Sequence, residues 1–321
     1  MLNNFLRLPG ALSALALVAF CTPLSALATE GALGRPVSGT GVSPNIGVVP
    51  AEPMWIANLS HIHFDGSLSN SKAVPIGGSV GVGISASLEF TLATLMKVWE
   101  TTPGRWNYAS SLTVPYLSTE AEGQFALGRF SSNNKQSADG VFDLYFAPVI
   151  AGYHFSQTEH MALSFNIWAP TGDYDPDRLA NTGLNVWTFV PQLAYTLMLP
   201  TEGLQLDAVT ALQFYTRNDD TDYTNAPLFT LDLMARKLWG NGIGAGIVVG
   251  TVQQLGDDKG DIADSLDGFR GRDWAAGPIV TYDTKLGSSS VSLGLRWVPT
   301  VSSEKRLDSD STVMGSATLV F

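Results

Sequence analysis

Along most of this chain apolar and polar residues alternate with a period of two. In 203–217, Leu204, Leu206, Ala208, Leu212 and Phe214 share one parity, and Gln205, Asp207, Gln213 and Arg217 share the other. In 289–301, Val291, Leu293, Leu295 and Trp297 alternate with Ser290, Ser292, Gly294 and Arg296. In 159–170, Met161, Leu163, Phe165 and Ile167 oppose His160, Ser164 and Asn166. The final stretch, 311–321, sets Val313, Gly315, Ala317, Leu319 and Phe321 against Thr312, Ser316 and Thr318. Such a period describes strands with one apolar face. The same reading along the chain predicts twelve strands, at 54–65, 82–99, 105–117, 139–155, 159–170, 183–199, 203–217, 225–238, 242–254, 272–286, 289–301 and 311–321.

The connections between these strands alternate as well. Those at 155–159, 200–203, 239–242 and 286–289 are short, whereas 117–139, 170–183, 217–225, 254–272 and 301–311 are long and polar. Outer-membrane barrels have short periplasmic turns and longer external loops, and a soluble β-sandwich has no reason to sort its loops this way. The expected fold is therefore all-β, a transmembrane antiparallel up-and-down β-barrel of twelve strands. Fourteen is the alternative if 66–81 or 120–131 holds a further pair; otherwise 120–131 belongs to an external loop or extends strand 105–117. Strand 311–321 should close the ring onto 54–65, with Phe321 as the assembly signal. Trp55, Trp99, Trp106, Tyr116, Tyr153, Trp168, Trp187, Tyr195, Trp239 and Trp297 fall near strand ends, as membrane-interface girdles require.

Composition narrows the setting. The 321 residues are 45% hydrophobic and only 15% charged, with 32 glycines and a formal charge of −11. Nucleic acid is excluded as a partner, because phosphates demand Lys and Arg. Residues 1–28 carry the parts of a secretory signal: Arg7, an apolar core over Ala11–Phe20, and small residues at Ala26 and Ala28. Cleavage is expected after Ala28, which removes Cys21, the one cysteine, and leaves no thiol chemistry. Residues 29–52, rich in Gly, Pro and Ser and without period, are read as a periplasmic N-terminal segment, in part luminal. Residues 53–321 form the barrel, placed in the bacterial outer membrane. Its partners are then membrane lipid and lipopolysaccharide and the barrel assembly machinery.

Catalytic and metal motifs are sparse. Gly77-Gly78-Ser79-Val80-Gly81 matches G-x-S-x-G, which has meaning only on a strand–turn–helix. His61 and His63 share a strand face but lack a third ligand at recognisable spacing. No cofactor, metal or catalytic residue is assigned. Asp257, Asp258, Asp261, Asp264, Asp267 and Asp273 crowd one long loop, where solvated charge is the simplest reading.

Two stretches are more specific. One runs Ala169-Pro170-Thr171-Gly172-Asp173-Tyr174-Asp175 through Leu179-Ala180-Asn181-Thr182-Gly183 into Asn185-Val186-Trp187-Thr188-Phe189-Val190-Pro191; the other is Asn218 through Thr221-Asp222-Tyr223. Gln253, Gln254, Gly277, Pro278 and Tyr282 follow in order. Over roughly 45–321, with 66–81 and 118–138 unmatched, the chain resembles the outer-membrane proteins associated with the meta-cleavage pathway of phenol degradation. The resemblance implies a barrel for passive uptake of small hydrophobic compounds, aromatic ones among them. Tyr174, Trp187 and Tyr223 are candidate solute contacts, and Gln205, Asp207, Gln213 and Arg217 candidate lumen residues. The rival readings are a structural or surface-interaction barrel with a plugged lumen, and an outer-membrane hydrolase.

Overall fold

The computed structural model describes residues 34–68, 73–76, 79–125 and 133–321. The signal segment with its cleavage point, and the glycines Gly77 and Gly78, lie outside the described residues. The elements are β1 (Met54–Ser67), β2 (Ala73–Ile76), β3 (Ser79–Val98), β4 (Trp106–Phe125), β5 (Asn133–Val141), β6 (Leu144–His154), β7 (Glu159–Ala169) and β8 (Thr188–Leu199). They continue with β9 (Leu204–Tyr215), β10 (Leu228–Leu238), β11 (Ile243–Gln254), α1 (Asp261–Ser265), β12 (Arg272–Leu286), β13 (Ser289–Trp297), β14 (Thr300–Glu304) and β15 (Val313–Val320).

Twelve of these strands pair antiparallel with their neighbours in a closed ring: β1, β3, β4, β6 to β13 in order, then β15, which returns to β1. Closure runs from Ile56↔Val320 to His63↔Val313, so the twelve-stranded ring has no open seam among the described residues. The other three strands lengthen the wall on its long-loop side. β5 continues the line of β6 along β4, across a break at Phe142 and Asp143. β14 continues β13 along β12, and β2 pairs with the start of β3. Residues 120–125 prolong β4, so the extension reading holds for that part of 120–131.

Alternation sorts the side chains. On β9, Leu204, Leu206 and Phe214 face outward and exposed, while Gln205, Asp207, Val209, Ala211 and Gln213 face inward and buried. Exposed apolar residues such as Leu95, Leu193, Leu233, Val280 and Leu293 form the lipid-facing surface. Trp55, Trp99, Trp106 and Trp239 stand exposed at the short-turn end, and Tyr116, Trp187, Trp274 and Trp297 toward the other. Trp168 departs from the girdle reading: it is 8% exposed and packs inside the barrel on Phe142.

The N-terminal segment, expected to be periplasmic and in part luminal, lies within the ring over Arg35–Val49. It descends from the long-loop end to the short-turn end, and wall side chains meet its backbone throughout. Asp232 on β10 accepts the N–H groups of Gly39 at 2.9 Å and Gly41 at 2.7 Å. Arg296 on β13 donates to the carbonyls of Gly39 and Val42 at 2.9 and 2.7 Å. Asp273 accepts from Ser38 and from Arg306, which also donates to the carbonyl of Pro36. Lower down, Asp207 accepts the N–H of Asn45 at 3.1 Å and Thr196 that of Gly47 at 2.9 Å.

This plug has no strand ladder of its own, so the wall supplies its hydrogen bonds. The approach is close enough to need glycine: a Cβ on Gly250 would sit 2.0 Å from the nitrogen of Gly39. Val42 and Val49 of the plug pack on Ala109, Ala147, Ala162, Ala194, Val209 and Val248 of the wall. Small inward residues thus make room for a second chain segment within a twelve-stranded ring.

Candidate functional site

Above the plug, on the long-loop side, the wall residues change from small and polar to large and apolar. Ile84, Ala86, Leu88 and Phe90 of β3 and Leu117, Thr119 and Ala121 of β4 line a cavity of about 210 Å³, with Phe142 beside them. Gly34, Arg35 and Val37 of the plug form its floor. Tyr174, Leu179, Ala180, Asn181 and Leu184 come from the loop between β7 and β8, which folds inward as a roof. For scale, an engineered apolar cavity of roughly 150 Å³ binds benzene.

Asp143, at the break between β5 and β6, holds roof and floor together. Its two oxygens accept the N–H groups of Gly172 at 2.9 Å and Leu184 at 3.1 Å. It also pairs with the Arg35 guanidinium at 2.9 Å, and both side chains are sealed from solvent. Arg35 further donates to Thr188 Oγ1 and to the carbonyl of Val186, both at 2.8 Å. Its planar face lies over Trp168 and Phe142, 5.0 and 5.6 Å from the ring centroids, a cation–π arrangement. Phe142 in turn meets Phe90 edge-on at 5.3 Å and Trp168 at 5.8 Å.

The roof loop is equally specified. Arg178 pairs with Asp173 at 2.7 Å and Asp175 at 3.4 Å, and Leu179 donates its N–H to Gln136 on β5 at 2.7 Å. Gly172 and Gly183 touch backbone to backbone, and a Cβ on Gly172 would lie 2.1 Å from the carbonyl oxygen of Thr182. The long sequence motif is therefore the roof of the cavity.

Of the candidate contacts, Tyr174 lines the cavity, and its hydroxyl accepts from Asn218 at 2.9 Å. Tyr223 is only 2% exposed and donates to Asp258 inside the adjoining loops, away from the cavity lining. Trp187 is 44% exposed at the outer rim. Gln205, Asp207 and Gln213 are luminal, below or beside the plug. Arg217 is not: it lies beyond the end of β9 and pairs with Asp222, which holds its pKa above the ordinary value. His61 and His63 face outward and share Glu89, at 2.9 and 2.6 Å. The acidic loop is not merely solvated, since Asp258 is buried and accepts from Ala226 N at 2.7 Å and Gln254 Nε2 at 2.8 Å. Sequence reasoning missed Arg35, Asp143, Phe142 and the inward faces of β3 and β4, where mixed composition hides the parity.

The sequence profile of the family described as "Putative MetA-pathway of phenol degradation" matches residues 69–314. The chain belongs to this family. No curated protein sequence matches it. Among solved structures, an outer membrane channel from Pseudomonas putida F1 superposes with a TM-score of 0.67 at 19% identity, covering 87% of this chain and 100% of that one. The likeness carries the fold, a barrel of the outer membrane. The β domain of the Bordetella autotransporter Brka scores 0.45 at 13% identity, covering 85% of this chain and 100% of that one. A Pseudomonas aeruginosa FadL homologue scores 0.40 at 11% identity, covering 92% and 98%. Both of these superpositions are loose.

Proposed function

We propose that this member of the family is an outer-membrane channel for passive uptake of small hydrophobic compounds, aromatic ones among them. The observation that carries this reading is the apolar, aromatic-lined cavity on the long-loop side, floored by the plug and roofed by the loop between β7 and β8. Burial of apolar solute surface there is favourable at roughly 25 cal/mol per Å². Water-soluble solutes gain nothing from such walls and meet a filled lumen below.

The plug also bears on the route. Pulling it from the lumen would strip Asp143 of Arg35 and Asp232 of the Gly39 and Gly41 N–H groups, at several kcal/mol for each buried charge. The lumen below the cavity is therefore a costly exit for a solute. The test is uptake of a radiolabelled single-ring hydrocarbon at low concentration by cells with and without the gene. Slower uptake without it, restored by the plasmid-borne gene, is expected; unchanged uptake across several such solutes would favour a purely structural barrel. Ester hydrolysis by the purified barrel in detergent would instead favour the enzyme.

A further inference from the structure

Thr119 sits on the inward face of β4 between Leu117 and Ala121, in the most apolar part of the cavity wall. It is more than nine-tenths buried, at 8% exposure. Its hydroxyl makes no hydrogen bond to a described residue and is not among the fully sealed polar atoms, so it faces the cavity. The other lining hydroxyls are engaged: Tyr174 accepts from Asn218, and Tyr215 donates to Gln213 at 2.9 Å. Valine would fill the same shape without a polar atom to satisfy.

We propose that the Thr119 hydroxyl is the polar contact of the cavity, and that the favoured solute is a neutral apolar molecule carrying one hydroxyl or carbonyl group. This rests on the uptake function proposed above and narrows it. A threonine hydroxyl both donates and accepts, so it suits either group. A carboxylate is disfavoured because the cations at the cavity are committed, Arg35 to Asp143 and Arg178 to Asp173 and Asp175. The Arg35 Nη1 atom, which has no hydrogen-bond partner, is sealed from solvent, and its guanidinium lies over Phe142 and Trp168. It is therefore not presented to a solute.

The test is titration calorimetry of the full barrel in lipid nanodiscs, with empty nanodiscs subtracted, using phenol and benzene as probes. Wild-type protein should bind phenol more tightly than benzene. Thr119→Val should weaken phenol about fivefold, the worth of one hydrogen bond, and leave benzene unchanged or tighter. Thr119→Ser should keep the preference for phenol. Heat-modifiable gel mobility confirms that each variant is folded, and Thr119→Ala serves should the valine variant fail. Equal loss of both probes, or wild-type phenol binding by Thr119→Val and Thr119→Ala, would overturn the assignment while leaving the uptake function standing. If wild-type protein binds neither probe, the uptake function falls and the assignment with it.

Discussion

Arg35 and Asp143 meet at 2.9 Å with side chains 1% and 0% exposed, joining the plug to the barrel wall. Removing one member of such a pair leaves the other charge buried without its counter-ion, which typically costs 3–5 kcal/mol. Arg35→Met should fall at the lower end of about 3 kcal/mol, because Asp143 keeps the N–H groups of Gly172 and Leu184. Asp143→Leu should cost more, since it strands the guanidinium and both N–H groups together. Urea unfolding of the barrel in lipid vesicles, followed by loss of heat-modifiable mobility, checks the order.

Asp232 fixes the middle of the plug through two charge-assisted hydrogen bonds, each worth about 1.5–3 kcal/mol. Asp232→Ala should leave the ring intact and loosen the plug. Planar-bilayer recordings are expected to show a larger and noisier ion conductance than wild type. A variant as quiet as wild type would mean that the remaining anchors, Arg296 and Asp207 among them, hold the plug alone.

Gly172 lies against Thr182 and Gly183 where the roof loop folds back on itself. Gly172→Ala forces a Cβ onto the Thr182 carbonyl oxygen, so the roof must shift while the barrel wall is untouched. Solute binding should weaken severalfold with little change in unfolding, measured on the same preparation by calorimetry and by gel mobility.

The last residue, Phe321, donates its N–H to Trp55 O at 3.0 Å and accepts from Trp55 N at 2.8 Å, and its ring is 55% exposed. Its loss would remove both an exposed aromatic and the lowest rung of the closing pair. Deleting Phe321 should reduce assembled barrel in outer-membrane fractions more than it reduces solute binding per assembled molecule.

Much of this fold was legible because a barrel wall has two solvents. Lipid outside and packed protein inside impose the period of two that marks β9, β7 and β13, and loop lengths then give the direction. The plug was not legible, because nothing in it is periodic. Its contribution comes from the backbone of Gly39, Gly41, Asn45 and Gly47, and the partners Asp232, Asp207 and Thr196 lie far away in the sequence. Asp207 could be read as facing inward, but not as a plug anchor. The cavity was hidden for a related reason. Its wall pairs inward Leu88 and Phe90 with outward Glu89 and Thr91, reversing the polarity that a lipid-facing strand shows elsewhere. Tyr174 was found through the roof motif, whereas Tyr223 belongs to the same motif set yet serves Asp258.

The central claim is that hydrophobic solutes pass by way of the cavity above the plug. Ala121 lies in its wall, and Ala121→Phe adds a ring where the solute would sit. The most direct measurement compares uptake of a labelled single-ring aromatic by cells expressing equal amounts of folded wild-type and Ala121→Phe barrel. Uptake by the filled barrel is predicted to drop to the level of cells lacking the gene. Uptake equal to wild type would contradict the account.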